Sequence, residues 1–164
     1  MIVAIAAIAA FIQIRHFRNA NDIAVYLRLT ERLDSEEARG AIRIFAEMRA
    51  RYDADPVFRE KLTQPGDVDA DYLPIGLFLR FIEHMATLVI TGGIAERIVL
   101  AEYADNLEGW WDDLRPIVYA RRHAFGEYTG AAFEHLAMRA KAYRESGRMA
   151  RLYTALERDP RGAG

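Results

Sequence analysis

A chain of 164 residues, 52% hydrophobic and 28% charged, is long enough to bury one core and too apolar to stay disordered. Its net charge of −2 gives no field suited to nucleic acid, so no nucleic-acid partner is expected. The absence of cysteine removes disulfides, thiol catalysis, iron–sulfur clusters and cysteine-bound zinc together, and no cofactor is expected.

The first element is an apolar run. Residues 2–14 are nearly all aliphatic, and Arg15-His-Phe-Arg18 follows at once. A bilayer core takes roughly 20 apolar helical residues, whereas this run covers only about 20 Å at ~1.5 Å per residue. Phe17 and the snorkelling side chains of Arg15 and Arg18 extend it. Three readings compete: a short single span (or one cut short by a start codon set too late), a signal-peptide core, and an apolar helix packed inside the protein or an oligomer. A signal peptide needs a basic stretch before its core and a small-residue cleavage site with a polar flank, and both are missing. A run this short also suits a buried helix. The basic stop favours the span. Residues 1–18 are therefore read as an N-terminal anchor, with Arg15 and Arg18 as a membrane flank that holds the body in the cytoplasm.

The anchor helix is expected to continue through residues 19–33, where Ile23, Tyr26, Leu27 and Thr30 share a face. Ser35 is a good N-cap, with Glu36 and Glu37 in the first turn of the next helix. Ala38, Ile42, Phe45, Met48 and Tyr52 then repeat at helical spacing as one helix. Asp55-Pro56 opens a short helix to Leu62, and Thr63-Gln-Pro-Gly66 is a loop by its turn chemistry. Asp71 suits the cap of a long apolar helix over 72–90, closed by Thr91-Gly92-Gly93. A helix over 94–103, an interruption at Asp105-Asn-Leu-Glu-Gly109 and a helix over 110–123 follow, the last with Pro116 near its start. Gly126 and Gly130 bracket a break before a final helix over 131–146. No alternating strand, internal repeat or glycine-rich phosphate loop is seen. The fold class is all-α, a helical bundle of about five to seven helices with the long N-terminal apolar helix continuing into the body. Three regions result: the anchor at 1–18, the bundle at 19–147 and a basic tail at 148–164, read as a solvated end.

Chemistry, if present, centres on Glu83-His84. The pair interrupts a run from Leu77 to Ile90 that is apolar nearly all round, so its helix should be central. A carboxylate there must be paired, hydrogen-bonded or protonated. Arg80, Arg121 and Arg122 are the candidate partners. The bland reading is a buried ion pair that fixes helix register; the functional reading is a ligand-binding or acid–base carboxylate. Glu134-His135 repeats the dipeptide on the last helix. The candidate ligand-binding or buried polar cluster is thus Arg80, Glu83, His84, Arg121, Arg122, Glu134 and His135. Metal is not expected. Adjacent helical residues point about 100° apart, and the Glu-x-x-His spacing of carboxylate-bridged bundles is absent. Trp110 and Trp111 are read as core, because Glu108, Asp112 and Asp113 flank them where a nucleic-acid groove would be basic. Ser35 and Ser146, the two serines, both look like helix-end residues, so no Ser-His-Asp site and no catalytic residue is assigned.

Scattered positions carry a family likeness: Phe81-Ile-Glu83 through Leu88-Val89 to Gly93-Ile94, then Trp110 or Trp111, Leu114-Arg-Pro116-Ile, Arg121, and Tyr128 through Phe133-Glu134-His-Leu136-Ala137. Together with the apolar start they resemble an uncharacterised bacterial family, domain of unknown function 4760. The resemblance implies a small, helical, membrane-anchored protein and supplies no activity. The expectation for function is a membrane-tethered interaction or regulatory module, holding a protein partner or a second copy at the inner leaflet. The alternative is a small-ligand site around Glu83, His84 and Arg121, or an enzyme with Glu83 as general base.

Overall fold

The computed structural model describes residues 2–64 and 72–147. They form seven helices: α1 (Ile2–Leu33), α2 (Glu36–Arg43), α3 (Phe45–Ala54), α4 (Pro56–Leu62), α5 (Leu73–Ile90), α6 (Glu96–Phe125) and α7 (Ala131–Glu145). No strand occurs among the described residues, and the fold is all-α. The side chains of Arg15 and Arg18, together with Asp71 and the tail at 148–164, lie outside the described residues.

α1 is one helix of 32 residues. Among its described side chains Phe17 is 77% exposed, and the buried ones, Leu29 and Leu33, come only in its last turns. Thr30 meets the Tyr103 hydroxyl of α6 at 3.2 Å, which fixes this end of α1 on the body. Further back, Phe17, Asn21 and Asp22 share a shallow groove with Val89, Ile94 and Glu96.

Two helix starts follow their caps. The Ser35 hydroxyl accepts the Ala38 N–H at 3.2 Å, and one Asp55 carboxylate oxygen accepts the N–H groups of Val57 and Phe58 at 2.9 and 3.0 Å. The single helix expected between Ser35 and Tyr52 is instead two. Ile44 takes φ −95° and ψ 1° and donates to the Ala41 carbonyl, a tightened turn between α2 and α3. The bend lets α2 pack on α5 while α3 packs on α6, so tertiary packing overrides the continuous pattern.

α5 buries Ile75, Phe78, Ile82, Met85 and Ala86. It closes in a Schellman motif: Gly93 N–H donates to the Leu88 carbonyl at 2.7 Å and Gly92 N–H to Val89 at 3.1 Å, with Gly92 left-handed at φ +75°. Among the described residues it is the one helix long and apolar enough to cross a membrane, by length and composition alone. A core helix meets the same criterion.

The interruption expected at 105–109 does not form; α6 runs unbroken for 30 residues. Ala104, Leu107, Trp110, Trp111 and Leu114 all face inward. Their burial outweighs the roughly 1 kcal/mol that Gly109 costs inside a helix. Pro116, expected near a helix start, lies deep in the interior, where it has no N–H for the Asp112 carbonyl four residues back. Arg49 of α3 supplies the missing donor, its Nη1 reaching that carbonyl at 3.0 Å.

The core is aromatic at its centre. Phe78 stands edge-on to both Phe45 and Trp110, with centroids 5.0 and 5.1 Å apart, and Trp111 meets Phe133 at 5.2 Å. Such pairs add about 0.5–1.5 kcal/mol each beyond the area they bury. Both tryptophans are core residues. On the surface, Arg139 of α7 forks onto Glu96 of α6 at 2.7 and 2.9 Å, and Arg144 bridges Asp105 and Glu108.

Candidate functional site

The site is built around the start of α7. Its N-cap is Gly130, left-handed at φ +71° and so close to α6 that a Cβ would fall 2.4 Å from Val118 Cγ1. Glycine solves the approach and leaves the helix without a capping side chain, although its first N–H groups still need acceptors. Glu83, from the middle of α5, supplies them. Its Oε1 accepts the Ala132 N–H at 3.1 Å and its Oε2 the Phe133 N–H at 2.9 Å. A carboxylate at the positive end of a helix is favourable on both hydrogen-bonding and dipole grounds. This corrects the expected ion pair: the odd charge on an apolar helix caps another helix, and among the described residues no arginine lies within ion-pairing distance of it.

Arg122 and Glu134 form their own pair beside the cap. Arg122 Nη2 meets Glu134 Oε2 at 2.6 Å, Arg122 Nε donates to the Thr129 carbonyl at 2.9 Å, and the Tyr119 hydroxyl donates to Glu134 Oε1 at 2.7 Å. Burial alone would raise the Glu134 carboxyl, but the bonds from Arg122 and Tyr119 and the Arg122 charge bring it below its ordinary 4.5. The pair's contribution is therefore fully present above about pH 4.5 and is lost as the pH falls through the lowered folded value. Urea midpoints measured down an acid series should fall more steeply for the native chain than for Arg122→Met. Parallel profiles would mean that the pair adds nothing to stability.

Between the start of α5, the end of α6 and the start of α7 lies a cleft of about 560 Å³. Arg80, Glu83 and Arg121 line it, as do Tyr72, Phe125, Tyr128 and Phe133. Arg121 is only 7% exposed. Its Nη1 donates to the Leu62 carbonyl at 3.3 Å, and its guanidinium lies over the rings of Phe125 and Tyr72, 3.9 and 5.2 Å from their centroids. Burial pushes the Tyr72 hydroxyl above its ordinary range, opposed in part by Arg121, so Tyr72 stays neutral and is no counter-ion. The structure thus brings three of the seven candidate residues to one cleft and sets the Arg122–Glu134 pair beside it. His84 and His135 are exposed and do not line it. Among the described residues no three histidine, aspartate or glutamate side chains gather as a metal site. The cleft residues that sequence reasoning missed, Tyr72, Phe125 and Tyr128, sit at the ends of helices. Phe125 and Tyr128 had a sequence signal in the pair of glycines that bounds their turn, and Tyr72 had none.

A family model described as a domain of unknown function, DUF4760, matches residues 1–140. The chain belongs to the DUF4760 family. The DUF4760 match takes in every residue of the cleft and of the Glu83 cap, and ends within α7. No curated protein and no solved structure matches the chain.

Proposed function

We propose that the chain is a membrane-tethered helical module, with residues 1–18 as anchor, 19–147 as a body on the cytoplasmic side of a bacterial inner membrane, and 148–164 as a basic tail. The observation that carries the reading is α1. Its apolar start is followed at once by Arg15 and Arg18, and among its described side chains burial begins only at Leu29. α5 is packed into the body on one face, which meets the aromatic core, and its Glu83 holds α7. The module offers a partner protein or a second copy an apolar groove of about 470 Å³ between α2 and α5, lined by Ala38, Ala41, Ile44, Leu77 and Phe81.

The test is carbonate extraction of membranes from cells expressing the full chain or a chain lacking residues 1–14. The full chain is expected to stay in the membrane, with the shortened one soluble and folded. Release of the full chain by carbonate would make α1 a packing helix and end the tether reading. A solubilised species that stays monomeric and captures no protein would remove the interaction role.

A second reading is favoured by one observation, that Glu83 and Arg121 open onto the same cleft. That cleft is a small-ligand site, with Arg121 as its recognition residue and Glu83 as the fastener of its wall.

A further inference from the structure

Arg121 is a buried cation, 7% exposed. Among the described residues no carboxylate lies within ion-pairing distance of it; its Nη1 donates to the Leu62 carbonyl, and its other polar neighbour is the neutral Tyr72 hydroxyl. No buried side-chain nitrogen among the described residues lacks a partner. Any Arg121 nitrogen that lacks a partner is therefore not fully buried, and Arg121 lines the cleft. Burying a guanidinium without a counter-charge is costly unless something in the site repays it. The charge balance points the same way. Among the described residues of the cleft two arginines, Arg80 and Arg121, face one carboxylate, and that carboxylate is committed to the α7 start. The remaining walls are aliphatic and aromatic, and the volume of about 560 Å³ falls within the range of small-molecule sites.

We infer that the cleft binds an organic monocarboxylate with an aromatic or branched apolar body, its carboxylate on the guanidinium of Arg121 and its body against Phe125 and Tyr128. This rests on reading the cleft as a ligand site. A single planar guanidinium matches one carboxylate through two parallel hydrogen bonds, whereas a doubly charged phosphate would leave charge uncompensated beside Glu83. The cleft lies about 38 Å of helix further along α6 than Glu96, which shares a groove with α1, so a tether through α1 leaves the cleft facing water.

The test is calorimetric titration of the full chain in detergent with a panel of aryl- and alkyl-carboxylates, each beside its matched amide. At least one acid is expected to bind about tenfold or more tightly than its amide. Arg121→Gln should erase that preference. Because a buried arginine can matter for folding, the rim gives an independent check: Tyr128 is 80% exposed, so Tyr128→Asp should fold normally and weaken the acid more than the amide. Tyr128→Lys should widen the acid's advantage over its amide. Acids and amides binding equally would leave the cleft a ligand site and overturn the carboxylate assignment. An acid preference untouched by the Arg121 and Tyr128 variants would place binding elsewhere and overturn it too. No binding across the panel would overturn both the assignment and the ligand reading beneath it.

Discussion

Glu83→Ala should cost about 3 kcal/mol of stability, because it strips both acceptors from the start of α7 and leaves two partly buried N–H groups without partners. For a chain of this size that is a fall of about 10 °C in Tm. Glu83→Gln should cost about half as much, since its carbonyl oxygen keeps one bond while its amide nitrogen faces a second donor. Urea denaturation gives the energies, and hydrogen exchange localises them: the Ala132 and Phe133 amides should lose protection before the core of α5 does. A Glu83→Ala chain within about 0.5 kcal/mol of the native one would mean that water replaces the cap at no cost.

Gly130→Ala is the second large effect, about 3–4 kcal/mol. A left-handed backbone costs a non-glycine residue roughly 1–2 kcal/mol, and forcing a methyl into a packed wall adds about 1–3. Here φ is +71° and the new carbon would lie 2.4 Å from Val118 Cγ1. The two parts separate in a Val118→Ala background, which makes room for the methyl but leaves the backbone strained. The same glycine change should then cost only about 1–2 kcal/mol. Equal costs in both backgrounds would assign the whole effect to the backbone.

The sequence made the helices legible and their junctions less so. Ser35 and Asp55 capped where local chemistry said they would, because a cap is a contact over two or three residues. The bend at Ile44 and the unbroken α6 were not legible, since both depend on which neighbour each face meets. Asp105-Asn-Leu-Glu-Gly109 has the composition of a break, and only the burial of Leu107 and Trp110 beside it forbids one. At the site, a charge on an apolar helix was a sound signal that Glu83 matters. Its partner was invisible because main-chain N–H groups carry no residue letter. Reading side chains against side chains led to arginines, whereas the acceptor-hungry group was a helix start made bare by Gly130.

One consequence of the Glu83 cap reaches beyond stability. The same residue lines the cleft and fastens the helix that contributes Phe133 to it, so filling the cleft and seating α7 share one free energy. By reciprocity, a ligand that prefers the seated helix must tighten the cap by the factor by which the cap tightens the ligand. Two backbone amides, those of Ala132 and Phe133, are then a built-in gauge of occupancy, readable without knowing what the occupant is.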